Sequence, residues 1–279
     1  MLFTSLLLVL ACATADKADS GKPGTEPGTV ELGGVCPIGE KVGEITVWAS
    51  GPDANVSGRV YDRADPWVGA PEAETDTCAF YQFAPDSCGD CAEGTVCAVD
   101  GACVPERRVQ AVTLDVTADG ETTTFVSDAT TGDVFGTAGR TNAEYDLRLD
   151  IAGEVVEIPA MKVADMLADV VVAGEGDSMA PGALSITWTP PADGGGRVRT
   201  RIPINHHAAG PTFTLCQAEA STGAMRATAE MLTPLAVVTG IEFQGVEHAN
   251  TAAVWVTAGC VDVRFGVGLD NGGVDWANE

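Results

Sequence analysis

From about Val109 onward, apolar and polar residues alternate with a period of two, the spacing of a half-buried β-strand. Val112, Leu114 and Val116 share one face against Thr113, Asp115 and Thr117, and Asp119-Gly120 then supplies a two-residue hairpin turn. Leu147, Leu149 and Ile151 alternate with Arg148 and Asp150 before a turn at Ala152-Gly153. Leu184, Ile186 and Trp188 form another face, ended by Pro190-Pro191, which cannot continue a ladder. Val198, Thr200, Ile202 and Ile204 form the next, and Val261, Val263, Phe265 and Val267 the last. Strands this dense, with turn signals between them, predict a mainly β fold, an antiparallel two-layer β-sandwich over residues 108–279. Two stretches, near Ala160–Ala168 and Ala227–Leu235, predict single helical turns or crossover loops, too brief for an α/β fold.

Alternation also marks Glu44-Ile45-Thr46-Val47-Trp48 and Ser57 to Tyr61, upstream of a run of cysteines. Residues 35–107 read as one disulfide-rich β segment on the N-terminal side of the sandwich, holding Cys36, Cys78, Cys88, Cys91, Cys97 and Cys103. The spacing Cys88-x2-Cys91-x5-Cys97-x5-Cys103, with Gly94 and Gly101 between, predicts a small cross-linked knot. Zinc is the rival reading of a Cys-x2-Cys pair. An even number of cysteines in an oxidising compartment favours disulfides, and six cysteines leave 15 pairings open. Cys216 and Cys260 then form the fourth pair, on outward faces by strand parity unless a bulge at Ala258-Gly259 switches the register.

The even number comes from setting aside one of nine cysteines. Cys12 closes Val9-Leu10-Ala11-Cys12 at the end of the apolar stretch Leu2 to Ala11. That run is about half the roughly 20 residues a transmembrane helix requires, and it reads as a signal-peptide core. Its end resembles the lipobox of bacterial lipoproteins, which implies removal of residues 1–11 and acylation of Cys12. Ordinary cleavage after Ala13-Thr14-Ala15 is the competing reading. Residues 12–34 are rich in Gly, Pro, Thr, Asp and Glu, too poor in apolar surface to offset chain entropy, and predict a disordered acidic tether. A flexible tether of that length holds a domain about 25 Å from its anchor. Ala13, where an Asp would signal inner-membrane retention, implies the outer membrane of a cell envelope; otherwise the protein is secreted.

Acidic residues outnumber Lys and Arg by 40 to 15, a formal charge of −25. That field repels phosphate backbones, so nucleic acid is excluded as a partner. The expected partners are the membrane, through the lipid anchor, and envelope proteins or glycans.

The order of lipobox, acidic linker and cysteine knot, with Gly182-Ala183-Leu184-Ser185-Ile186-Thr187-Trp188-Thr189-Pro190, Cys216, Thr222-Gly223 and Ala229-Glu230-Met231-Leu232, resembles uncharacterised surface lipoproteins of myxobacteria-like Gram-negative bacteria. The resemblance covers most of the chain. It implies the architecture above and carries over no functional residues.

Candidate chemistry is sparse. Gly176-Asp177-Ser178-Met179 resembles the nucleophile block of GDS-type esterases, but that chemistry needs a His to take the serine proton. His206, His207 and His248 have no Asp three residues before them, and a strand rather than a helix follows Ser178. No catalytic residue and no cofactor is expected. Arg197, Arg199 and Arg201 would share one face of a strand, where a row of guanidinium groups can grip carboxylates or sulfates of an anionic glycan. The alternative is cross-strand pairing with acidic residues. Asp53-x-Asn55-x-Ser57-Gly58 imitates the first half of an EF-type calcium loop but has Ala64 at its twelfth position. Asp270, Asn271, Gly272, Gly273 and Asp275 form a second acidic turn, and no metal ligand set is complete. Trp67 and Trp276 lie in turn-like surroundings, where an exposed ring stacks on sugars and a half-buried one anchors a loop. The whole reads as an envelope-anchored lipoprotein with a structural or adhesive, non-catalytic role. A glycan- or calcium-binding module is the runner-up, and an esterase comes third.

Overall fold

A computed structural model describes residues 25–50, 53–83, 88–140, 144–204, 211–236, 240–269 and 273–277. Strand β1 (Val30–Leu32) precedes β2 (Lys41–Ser50), β3 (Asp53–Val60), β4 (Ala73–Glu74) and β5 (Cys78–Tyr81). A short hairpin, β6 (Thr95–Cys97) and β7 (Cys103–Pro105), lies in the cysteine-rich loop. Then come β8 (Val112–Ala118), β9 (Glu121–Val126), β10 (Val134–Arg140), β11 (Glu144–Ile151) and β12 (Glu154–Lys162). Strands β13 (Ala168–Gly176), β14 (Pro181–Thr189), β15 (Arg197–Pro203), β16 (Phe213–Glu219) and β17 (Ala224–Ala227) follow. One helical turn, α1 (Ala229–Leu232), runs into a 3-10 turn at Thr233–Leu235, and β18 (Val246–Val256), β19 (Gly259–Leu269) and β20 (Asp275–Trp276) end the order.

These strands make a mainly β, layered fold of sandwich type. A ten-stranded sheet runs β10-β3-β2-β19-β18-β15-β16-β5-β4, with β1 added beside β18. Two four-stranded sheets, β12-β11-β8-β9 and β17-β14-β13-β20, pack on it. The alternation dictates how. Residues paired across the ladders, Val56 with Val47, Val47 with Phe265, and Ala252 with Val263, place their side chains on one face of the long sheet. That face meets Leu114, Tyr145, Leu147, Leu149 and Ile158 of the first small sheet in one buried core. Farther along the same face, Val198, Ile202 and Phe80 meet Leu184, Ile186, Met225 and the buried Met231, Leu232 and Leu235 of the helical turns in a second core.

The hairpin turns form as expected. Asp119 and Gly120, and Ala152 and Gly153, have positive φ, the conformation that a tight hairpin with right-handed strand twist requires. Of the two predicted helical stretches, 227–235 contains α1 and the 3-10 turn, whereas Ala160 to Lys162 belongs to β12. There Met161 is buried and pairs with Tyr145, so strand pairing decides the conformation.

Three expectations are corrected. The boundary at 107/108 does not divide the sheets, because β2 and β3 of the N-terminal segment sit between β19 and β10. The tether is shorter than residues 12–34: Val30, Glu31 and Leu32 pair with Val254, Ala253 and Ala252. An added strand gains backbone hydrogen bonds from the sheet without needing large apolar side chains, which composition does not register. Finally, Cys216 and Cys260 are not a pair. Cys260 bonds Cys36 and Cys216 bonds Cys78, with sequence separations of 224 and 138, while Cys88–Cys97 and Cys91–Cys103 close the local knot. Both Cys216 and Cys260 are buried: Cys216 faces the second core, whereas Cys260 keeps the parity of Asp262 and Arg264 on the opposite face and is covered there. Cys216 and Cys78 are direct cross-strand partners beside the second core, and Cys260 lies beneath the chain that carries Cys36.

Candidate functional site

The second face of the long sheet carries the charge. Strand parity puts Glu44 on β2, Asp262 and Arg264 on β19, Glu247 on β18, and Arg197, Arg199 and Arg201 on β15 on this face. A strand solvated on one side would leave them exposed. Instead Asp262 and Arg264 are buried, 6% and 3% exposed. The chain from β1 to β2 covers part of this face, fixed by the Cys36–Cys260 bond and by the Cys36 amide, which donates to Asp262 Oδ1 at 2.7 Å.

Beneath it lies a connected ion network. Lys41 pairs with Glu44 and with Asp262, the latter at 2.7 Å. Arg199 reaches Glu44 at 2.9 Å and Glu247 at 3.4 Å, and Arg264 reaches Glu247 at 2.8 Å. The Arg199–Glu44 contact spans two intervening strands, about 14 Å of flat sheet, a gap that long side chains and curling of the sheet close together. Burial opposes ionisation of Glu44, but Lys41, Arg199 and Arg264 outweigh it and hold its carboxyl far below the usual range. Arg199 is desolvated yet held above its ordinary value by Glu44 and Glu247. Burial, and repulsion from Arg199, push Arg264 down. The Nε atoms of Arg199 and Arg264 are buried without a hydrogen-bond partner among the described residues.

The arginine stripe therefore divides into three fates. Arg197 pairs with Glu219 at 2.5 Å and donates to the Gly33 carbonyl at 3.0 Å. Arg199 belongs to the buried network. Arg201 has its guanidinium 4.3 Å from the centroid of the Phe213 ring and no carboxylate partner among the described residues. Its cross-strand neighbour is Leu215. A cleft of about 290 Å³ opens here, between β15 and β16 on one side and the start of β2 with Asp65 and Val68 on the other. Arg107, paired with Asp65 at 3.0 Å and lying over the Tyr61 ring, stands at its edge.

The other sequence candidates are not brought to this site. Trp67 is half-buried and packs edge-on against Phe83 with centroids 6.0 Å apart, the loop-anchor outcome. Trp276 is buried in the second core, with Gly174 so close that a Cβ there would meet its ring at 2.2 Å. Asp53, Asn55 and Ser57 alternate along β3, so their side chains stand about 7 Å apart in a row and do not converge as calcium ligands. Asp270, Asn271 and Gly272, His206 and His207, and Cys12 with the lipobox and the alternative cleavage site, lie outside the described residues. Ser178 sits in a turn whose Asp177 accepts from the Met179 and Ala180 amides. Buried His248 faces backbone carbonyls instead, Asp165 O at 2.6 Å from Nδ1 and Gly195 O at 3.2 Å from Nε2. Sulfurs of Cys88, Cys91 and Cys103 cluster at metal-ligand spacing but are held in disulfides.

Sequence reasoning missed Glu44, Glu247, Asp262 and Arg264 as parts of one site. The signal was partial: charged residues recur at alternate positions on β15 and β19, at the parity opposite to the core, whereas Glu44 and Glu247 stand singly at that parity on β2 and β18.

No family model matches the chain, and no curated protein matches it. Among solved structures, the chain is similar to the FN1–FN3 domains of chicken CNTN1, at 9% identity and a TM-score of 0.19, over 78% of this chain and 79% of that one. The functional reading accordingly rests on the geometry.

Proposed function

We propose that this protein is an oxidised β-scaffold of the cell envelope, anchored through an acylated Cys12 to the outer membrane and serving a structural or adhesive, non-catalytic role. The observation that carries the reading is the placement of two disulfides. Cys36–Cys260 and Cys78–Cys216 each clamp an early strand or its flanking chain to a late strand of the long sheet. Such cross-bracing suits an oxidising compartment and a protein exposed to proteases and variable solvent. The residues before β1 fit a short stand-off from a membrane, and the strong negative charge favours protein or glycan partners over nucleic acid.

Metabolic labelling with an alkyne fatty acid, followed by membrane fractionation, tests the anchor. The wild-type chain should be labelled and sediment with outer membranes, and Cys12→Ser should lose both properties. A wild-type chain that is unlabelled and released after Ala15 would overturn the tether and leave a secreted scaffold.

A further inference from the structure

The cleft beside Arg201 is a positively charged recess in a chain of net charge −25. Its charge can be accounted for group by group. Five cations, Lys41, Arg107, Arg199, Arg201 and Arg264, meet four carboxylates, Glu44, Asp65, Glu247 and Asp262. Each of these cations but Arg201 has an acidic partner among the described residues. Arg201 instead lays its guanidinium over Phe213, a ring that is itself buried and braced by Tyr81 at a centroid distance of 5.1 Å. That contact sets the guanidinium against an aromatic surface that offers it no hydrogen-bond acceptor. A guanidinium held this way presents the fork that binds a carboxylate through two parallel hydrogen bonds.

The rest of the cleft limits what carries the carboxylate. Val42, Val68, Phe213 and Leu215 supply apolar surface, and Glu44 and Asp65 supply acceptors already engaged by cations. At about 290 Å³ the space is at the small end for ligand pockets, which run from about 300 to 1,000 Å³. One ring-sized group fits. A second anionic group would face the Glu44 and Asp65 carboxylates.

We propose that this cleft binds one carboxylate borne on a sugar ring, a uronic acid unit of an acidic glycan, with the carboxylate on Arg201 and the apolar ring face against Val68 and Leu215. The proposal is independent of the anchor, because it concerns a recess that would exist in a tethered or a released chain.

The test is a titration of the oxidised full chain with D-glucuronate, D-glucose and benzoate, followed by two-dimensional NMR of the arginine Nε–Hε signals and the Phe213 ring. Glucuronate should shift the Arg201 and Phe213 signals saturably, and glucose should leave them in place. Arg201→Gln should weaken glucuronate binding at least tenfold. Arg201→Lys, which keeps the charge and loses the planar fork, should weaken it several-fold. Arg148→Gln, on a different sheet, controls for net charge and should bind as wild type does. Near-ultraviolet circular dichroism checks that each variant is folded. Equal binding by folded Arg201→Gln, or no saturable shift in the wild type, would overturn the proposal. Benzoate binding as tightly as glucuronate would also overturn it, by showing that the recess selects an acid on an apolar body rather than a sugar. A soluble, unacylated chain that still binds glucuronate would separate failure of the anchor from failure of the site.

Discussion

The two faces of the long sheet solve the burial problem in different ways. On the core face, neighbouring strands supply matched apolar rows, and Ile45, Val47, Val263 and Phe265 are closed off by the small sheets. On the other face, one residue along the same strand, Asp262 and Arg264 are nearly as deeply buried, but under a crossing chain, a disulfide and paired charges. Apolar burial is stabilised by surface area and tolerates small changes of shape. A buried charge is tolerable only while its partners stay in place. The first face makes the fold; the second depends on closure by parts of the chain far away in sequence.

The largest expected effect comes from removing that closure. Cys36 and Cys260 are 224 residues apart, and cross-linking so long a loop contributes about 5 kcal/mol in the chain-entropy picture. The local bonds Cys88–Cys97 and Cys91–Cys103, with separations of 9 and 12, should contribute about 3 kcal/mol each. Urea unfolding of Cys36→Ala with Cys260→Ala should therefore show a larger loss than removal of either local bond. A smaller loss would mean that the β1 pairing, not the disulfide, holds the cover in place.

Adjacent residues of β19 sharpen the contrast next. Phe265→Ala should cost about 3–5 kcal/mol through lost burial and a residual cavity in the first core. Arg264→Met should cost less, about 1–3 kcal/mol, for a different reason: Glu247, part exposed and still near Arg199, loses its nearer cation. The reasons separate in a double variant. Adding Glu247→Met to Arg264→Met removes the stranded charge and should recover most of the loss. No second substitution outside the first core would rescue Phe265→Ala in that way. Equilibrium unfolding of the three variants decides it.

The same contrast explains what could be read from the sequence. Each alternating run, such as Val112–Val116, Leu184–Trp188 or Val261–Val267, matches an observed strand, with only Ile204 and Tyr61 falling one residue past the ends of theirs, because alternation records a core that the strand faces directly. The turns at Asp119-Gly120 and Ala152-Gly153 were legible because the required positive φ favours particular residues. Long-range closure was not legible. Nothing local to Cys260 says that Cys36 will lie over it, so parity placed Cys260, Asp262 and Arg264 in solvent. The stripe Arg197, Arg199, Arg201 was visible as a stripe, yet the partner of each arginine is set by sheet order, which brings Glu219, Glu44 and Phe213 to successive positions. Among the described residues, only the last of the three has a guanidinium without a carboxylate partner.

Acid should open the charged face before the apolar one. Burial alone would raise the Glu44 pKa, but Lys41, Arg199 and Arg264 bring it well below the ordinary value. A depressed folded-state pKa means that the stabilisation is fully present above the unfolded value, near 4.3, and is lost as pH falls toward the folded value. Stability of the wild-type chain should thus decline below about pH 4. Glu44→Gln, which lacks the titrating group, should be less stable at neutral pH and decline less steeply. The two unfolding midpoints should converge between about pH 4 and pH 2. Parallel curves would assign the acid sensitivity to other carboxylates.

The smallest expected effect on stability is at Arg201, and its smallness is informative. Arg199 and Arg201 lie two residues apart on one strand and point to the same face. Arg199 is held by two carboxylates, so Arg199→Gln leaves Glu44 with Lys41 as its remaining ion-pair partner among the described residues, and the more distant Arg264, and should cost about 2–4 kcal/mol. Arg201 is exposed and pairs with no carboxylate among the described residues, so Arg201→Gln should change stability by no more than about 0.5 kcal/mol. Although the residue is exposed, partial desolvation of its guanidinium by the cleft walls, with the neighbouring Arg199, holds its pKa below the ordinary value, so removing its charge relieves repulsion while losing the contact with Phe213. Those two changes oppose each other. Thermal unfolding of both variants beside wild type measures the difference. A large loss at Arg201 would make it part of the structural network, whereas a small one leaves its charge available to a ligand.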